Sequence, residues 1–285
     1  MESQVWQIEH PSTVAADFRA SAVAEAEFDR STPTCKAILV SRSIKWEVPQ
    51  ATLTLGEGEI HVWRASIEIE PHVRAELEGT LSPDETLRAH RFHFSRDRNA
   101  FITGRGILRR LLGIYLNRPA TQVGFRYGRF GKPELCLQRS DQPIRFSLSH
   151  SHGLAVFAFS HGRDIGIDLE LNRSDVATEE IVAHYFSAGE IEEWRNLPSE
   201  SRAQGFFNCW TRKEAYIKAL GEGLQVPLDS FDVTLTPGSP AMFRRGVEGQ
   251  WHLCAFAPKK DYPAALAYSG SPCQVRFLSW DTDSC

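Results

Sequence analysis

The sequence lacks any Cys-x-x-Cys pair. Its six cysteines stand apart at 35, 136, 209, 254, 273 and 285, a scatter that argues against a zinc site or a disulfide framework and for a reducing, cytoplasmic setting. It also lacks an apolar stretch long enough to span a membrane, and its N-terminus has no basic segment followed by an apolar run. Neither an anchor nor a secretory leader is expected. A formal net charge of -4 provides no global basic field for nucleic acid. Repeats at solenoid periods and low-complexity tracts are absent too. What is there is ordinary: 285 residues, 42% hydrophobic and 24% charged, suit one large or two smaller globular domains with a real core.

Residues 1–45 read as a poorly specified extension, and order is expected to begin near Trp46. Alternation of Ile60, Val62, Ala65, Ile67 and Ile69 with polar neighbours predicts a strand over 59–69, with a phase slip near Trp63 and Arg64. Ser82-Pro83-Asp84-Glu85 supplies an N-cap, a first-turn proline and a capping-box glutamate, so a helix starts there. A second helix is predicted from Arg96 to Leu116, with Phe101, Ile107, Leu108, Leu111, Leu112 and Tyr115 at core spacing. Residues 88–132 carry eleven Arg or Lys against the single acid Asp97, which points to an anionic ligand, although Arg109 and Arg110 read as a solvated helix face. Gly128 and Gly131, set among basic residues of the 127–133 loop, permit close backbone approach to a ligand; a simple turn is the alternative.

Two strands, 144–149 and 154–160, are joined by a turn containing Gly153, and Ser149 and His150 sit at a strand end where polar groups can face a ligand. In the following strand, Ile165-Gly166-Ile167-Asp168-Leu169-Glu170, a period of two puts Asp168 and Glu170 on one face. Two such carboxylates repel unless a cation lies between them, and oxygen-only donors favour a hard ion such as Mg2+; an exposed edge strand is the alternative. A helix over 177–185 follows. Ser187-Ala188-Gly189-Glu190 then forms a second capping box, so Glu190 has a structural explanation and Glu190→Gln should cost only about 0.5 to 1 kcal/mol of capping. The helix of 206–221 places Phe206, Trp210 and Ile217 on one face, with Glu214 inside that arc and Lys218 at its edge. Taken alone, Glu214 and Lys218 are an i,i+4 ion pair worth about 0.3 to 0.5 kcal/mol. Strand-like runs at 231–235, 251–256 and 264–268 complete the chain, with 274–279 as a further edge strand.

Four separated pieces, Phe146 to Ser151, Gly166 to Glu170, Phe186 to Glu190 and Trp210 to Lys218, together resemble the 4'-phosphopantetheinyl transferases in order and spacing. The chain length and the arginine-rich segment resemble the large, monomeric Sfp-type branch. The resemblance covers about Trp46 to Ser279 and leaves the first 45 residues unaccounted for.

The resemblance implies an α+β fold of two similar halves, related by a pseudo-twofold with the ligand cleft between them: residues 46–162, on the nucleotide side, and 163–285, bearing the metal and the catalytic helix. It implies transfer of the phosphopantetheine arm of coenzyme A to a serine of an acyl or peptidyl carrier protein, with release of 3',5'-ADP. Mg2+ would be held by Asp168, Glu170 and Glu214. Lys218 would contact the pyrophosphate and Glu214 would take the serine proton. His150 and Arg88 would hold the 3'-phosphate, with Ser149 beside them, and Gly131, Lys132 and Pro133 would line the adenine. Arg105 matches a basic position of the family, while Phe101 stands where some members have a small hydroxyl residue. A Mg2+-dependent CoA phosphohydrolase and a non-enzymatic CoA- or carrier-binding protein are the competing readings.

Overall fold

The computed structural model describes residues 44–49, 53–137 and 143–281; most of the proposed extension, 1–45, lies outside them. The two capping boxes foreseen in the sequence are both formed, and each opens the helix that precedes a 22-residue helix. In chain order the first half contains β1 (Glu59–Ser66), α1 (Pro71–Glu78), α2 (Pro83–His90), α3 (Ser95–Leu116), β2 (Phe125–Tyr127), β3 (Pro133–Leu135), β4 (Ile144–Ser151) and β5 (Leu154–His161). The same succession then recurs as β6 (Ile165–Leu169), α4 (Glu179–Tyr185), α5 (Ala188–Arg195), α6 (Ser199–Leu220), β7 (Asp232–Val233), β8 (Phe243–Arg245), β9 (Trp251–Phe256) and β10 (Ala264–Ser269). Strand order repeats as well, β1-β5-β4 in one sheet and β6-β10-β9 in the other. This is the expected α+β fold of two similar halves.

The final strand, β11 (Gln274–Ser279), lies within the span 163–285 but crosses back to pair in parallel with β1. Trp46 is drawn in beside it, its ring 5.3 Å from that of Phe277. Burial explains the layering. One core fills the space between α3 and the outer face of the first sheet, a second lies between the two sheets, and a third between the second sheet and α6. A strand with a neighbour on each face has no polar side to show. That is why β6 is buried at all five positions and why β1 buries both faces, Ile60 and Val62 in the core between the sheets and Trp63 and Ala65 in the core beneath α3, without the phase slip expected near Trp63.

Helix α1 was not foreseen. Leu77 is its only buried residue, so it carries almost no periodic signal. It docks because α3 presents Gly106, where a Cβ would stand 2.6 Å from that of Leu77. The solvated-face reading fails for Arg109, which is 2% exposed. Its Nε donates to Glu85 Oε2 at 2.6 Å, and its Nη1 donates to the carbonyls of Ala120 and Val123. Arg110 meets the exposed Glu76, at 3.3 Å. The same latch recurs in the second half. Lys213, fully buried, lies 2.8 Å from Glu190 Oε2 and donates to the carbonyls of Leu228 and Phe231. In both halves a capping-box glutamate therefore binds a buried cation from the long helix, and that cation also holds the turn after the helix.

Polar burial in the first sheet sets a pH dependence. Trp63 Nε1 donates to the Tyr115 hydroxyl at 2.8 Å, which leaves the hydroxyl proton for His61 Nδ1, also at 2.8 Å. Burial, reinforced by Arg276, pushes the His61 pKa from 6.5 down to about 4. The fold therefore favours the neutral ring. Its contribution is complete above the unfolded value and is lost as pH falls from 6.5 towards 4, a loss of roughly 3 kcal/mol by linkage. Urea unfolding of the wild type and His61→Gln across this range should show a steeper decline for the wild type; parallel curves would remove the imidazole as the cause.

Candidate functional site

Strand β4 presents three serines at a period of two, and all three turn towards β6. Ser147 Oγ accepts the Ile167 amide at 3.1 Å. Ser149 Oγ donates to Asp168 Oδ1 at 2.9 Å, and Ser151 Oγ donates to Glu170 Oε2 at 2.9 Å. The carboxylates expected to repel unless a cation lies between them are thus each anchored by a hydroxyl from the other half of the chain. Asp168 is buried, and Glu170 sits one residue beyond the end of β6.

Helix α6 covers these groups. Gly166 allows it to come close, since a Cβ there would lie 2.0 Å from the Ala215 carbonyl oxygen and 2.4 Å from the Ala219 nitrogen. Glu214 and Lys218 are thereby pressed against β6. Lys218 Nζ reaches Asp168 Oδ1 at 2.6 Å and Ser149 Oγ at 3.2 Å. The lysine is committed to the strand and not to an intrahelical pair with Glu214. Glu214 is 1% exposed, and neither of its carboxylate oxygens has a hydrogen-bond partner; Asp168 Oδ2 is likewise unpartnered.

The electrostatics follow from this crowding. Burial, then the neighbouring Asp168 charge, raises Glu214 to about 8, and the same two causes raise Glu170 to about 8. For Lys218, burial works against the charge, but Asp168, Glu214 and Glu170 outweigh it and hold its pKa above the ordinary value. Among the described residues no three acidic, histidine or cysteine side chains converge as a ready-made metal cluster. The donor chemistry nonetheless suits a hard cation, because three buried carboxylate oxygens on Asp168 and Glu214 are left without partners.

The other expected ligand contacts are distributed along the first half. Arg88 and Arg105 both lie over the Phe101 ring, at 5.4 and 5.7 Å, so the phenyl group serves as a platform for two guanidinium groups. Arg105 is 8% exposed and lies 3.5 Å from Glu85, with Nη1 unpartnered. His150 occupies an exposed position in β4. Gly131 has φ +82°, giving a tight turn before Pro133, which is buried in β3. Lys132 turns away from that loop. Its Nζ donates to the carbonyls of Lys218, Ala219 and Ile165 at 2.5, 3.2 and 3.3 Å.

Sequence reasoning assigned no role to Ser147, Ser151, Lys213 or Gly166. The serines had a signal, since Ser147, Ser149 and Ser151 form a polar stripe at strand period. Gly166 and Lys213 had none, because close approach and buried pairing are tertiary properties.

The profile of the 4'-phosphopantetheinyl transferase superfamily matches residues 164–267, and that of the 4'-phosphopantetheinyl transferase N-terminal region matches 69–161. The chain is 39% identical over 232 residues to the 4'-phosphopantetheinyl transferase HetI of Nostoc, an alignment that covers 81% of this chain and 97% of HetI. It is 32% identical over 165 residues to the 4'-phosphopantetheinyl transferase gsp of Aneurinibacillus migulanus, covering 58% of this chain and 66% of gsp. With the Bacillus subtilis transferase Sfp it shares 30% identity over 156 residues, 54% of this chain and 66% of Sfp. With two sheets joined by a serine stripe, a carboxylate and lysine cluster at their junction, and a relative matched along nearly its whole length, the chain belongs to the 4'-phosphopantetheinyl transferase superfamily.

Proposed function

We propose that the protein transfers the 4'-phosphopantetheine arm of coenzyme A to a serine of an apo carrier protein. The single observation that carries this reading is the junction of Asp168, Glu214 and Lys218, where buried carboxylate oxygens without partners stand beside a partly buried ammonium group. In the reaction the serine oxygen bonds to the β-phosphorus, the bond from that phosphorus to the bridging oxygen breaks, and 3',5'-ADP leaves. Lys218 contacts the pyrophosphate and offsets the charge gathering on the leaving group. Glu214, buried on α6 against β6, is the candidate to accept the serine proton. Ser149 and Ser151 orient Asp168 and Glu170. Asp168, Glu170 and Glu214 would hold Mg2+, whose chemistry when bound is to neutralise charge on the phosphates.

Arg88, His150 and Arg105 supply cationic or hydrogen-bonding groups for the 3'-phosphate, and the 131–133 turn supplies the wall for the adenine. Both halves of the cleft come from one chain, which supports a monomeric enzyme. The described cysteines are all unpaired, which supports a reducing cytoplasm. Among the described residues no helix is long and apolar enough to cross a membrane.

The test is incubation with several apo carrier proteins, CoA and Mg2+, followed by mass spectrometry. The expected result is addition of one phosphopantetheine to a carrier serine, with 3',5'-ADP formed only when a carrier is present. Release without a carrier would favour a phosphohydrolase, and no addition to any carrier would overturn the transferase reading.

A further inference from the structure

The family resemblance would make Lys132 part of the nucleotide wall, yet its amine is fully occupied elsewhere. An ammonium group has three donors, and this one has three carbonyl acceptors, Lys218, Ala219 and Ile165. No donor is left over for a phosphate or a purine. The acceptors are not arbitrary. A helix leaves its last carbonyls unpaired and carries partial negative charge at that end, so a cation there is favoured on both counts. At the end of α6, the Gly221 amide, with φ +76° at Gly221, takes the Ile217 carbonyl, and Lys132 takes the next two. The lysine stem packs so closely that a Cβ on Gly221 would be 3.1 Å from Lys132 Cδ.

The base of this strut is tied by backbone hydrogen bonds. The Gly128 amide donates to the Lys132 carbonyl at 2.9 Å, and the Gly131 amide donates to the Gly128 carbonyl at 2.9 Å, closing the turn from which the side chain leaves. The last part of α6 also rests on the backbone contact at Gly166, the residue after the Ile165 whose carbonyl Lys132 takes. The final turns of the helix, which carry Lys218, are therefore held by both a strand of the second half and a lysine of the first. Ile165 opens β6, the strand of Asp168, so one ammonium group ties together the loop expected to face the nucleotide and both elements that form the Asp168–Lys218 contact. Burial lowers the Lys132 pKa to about 8, as taking an amine out of water does.

We infer that Lys132 is a positioning residue: it fixes Lys218 from across the cleft and couples the nucleotide loop to the catalytic helix, and it is not itself a nucleotide ligand. The inference rests on the transferase reading for its kinetic consequence. In Lys132→Met, which keeps the stem and removes the cap, kcat should fall roughly 10- to 100-fold, the scale of a small displacement of a reacting group. KM for CoA should stay within about threefold, because no ligand contact is removed. Backbone amides of 217–221 should exchange faster with solvent in the variant, a readout that does not depend on activity. A raised KM with unchanged kcat and unchanged exchange would make Lys132 a ligand and overturn the inference. Should the variant not fold, amine acetylation of the wild type decides. Lys132 unreactive with and without 3',5'-ADP supports the strut, whereas reactivity in the free enzyme, protected by 3',5'-ADP or not, overturns it. Wild-type transfer measured in parallel separates the two claims, since its absence removes the proposed function while the exchange and acetylation results still test the strut.

Discussion

Gly166→Ala should lower transferase kcat by about 100-fold or more while costing the fold only about 1 to 3 kcal/mol. The added methyl carbon would stand 2.0 Å from the Ala215 carbonyl oxygen, 2.4 Å from the Ala219 nitrogen and 2.9 Å from the Lys218 carbonyl carbon. All three are backbone atoms, so no side chain can rotate away, and α6 must move as a body or lose its last turns. Either response withdraws Lys218 from Asp168, a contact of 2.6 Å that a shift of about 1 Å would break. Glu214 lies on the same stretch of helix and moves with it. The measurement is kcat at saturating CoA and carrier, beside a urea melt of the same protein. A folded Gly166→Ala enzyme within about threefold of wild-type kcat would sink the claim that this backbone contact sets the site.

Gly166 also shows where the sequence stops being legible. Its neighbours Asp168 and Glu170 stand out at once as carboxylates at strand spacing, and the structure anchors each on a serine of β4. The glycine between them and Ile165 read only as part of a motif, because the atoms it accommodates belong to a helix some fifty residues further on. The helix ends were legible for the opposite reason. Ser82 with Glu85 and Ser187 with Glu190 complete their capping boxes within four residues, so local chemistry was enough. Helix α3 was foreseen to within one residue of its observed start, because its apolar positions repeat on one face.

Elements whose partners lie far away were harder. β2, β3 and β8 have three residues each and were not foreseen, since strands that short have no period to detect. The run 274–279 was identified as a strand, but its pairing with β1 was not, because parallel partners leave no mark in either segment alone. Side-chain partners followed the same rule. Glu214 and Lys218 looked paired because they are near in sequence, whereas Lys218 binds an aspartate on the strand beneath. Arg109 looked solvated because its glutamate lies in another helix.

Lys213→Met should cost about 3 to 5 kcal/mol, the usual consequence of leaving one member of a buried ion pair without the other. The ammonium of Lys213 and the carboxylate of Glu190 are 2.8 Å apart and both almost wholly out of water. The lysine also bonds the Leu228 and Phe231 carbonyls and lies 4.4 Å over the Phe231 ring. Without it, Glu190 keeps the amides of Ser187 and Val233 but loses its countercharge. For the same reason Glu190→Gln costs more than the 0.5 to 1 kcal/mol expected of a cap alone: the substitution leaves Lys213 as the uncompensated charge.

The double variant Lys213→Met/Glu190→Gln removes both charges and should recover a substantial part of the loss, as replacements of whole buried pairs do. Urea unfolding of the two single variants and the double completes the cycle. A Lys213→Met loss below about 1 kcal/mol, or a double variant as damaged as the sum of the singles, would show that the pair does not act as a unit. The site registers the same geometry. Successive helical residues point about 100° apart, so the bond that draws Lys213 to the turn after α6 also turns Glu214, its neighbour, towards β6, where the charge of Asp168 acts on it.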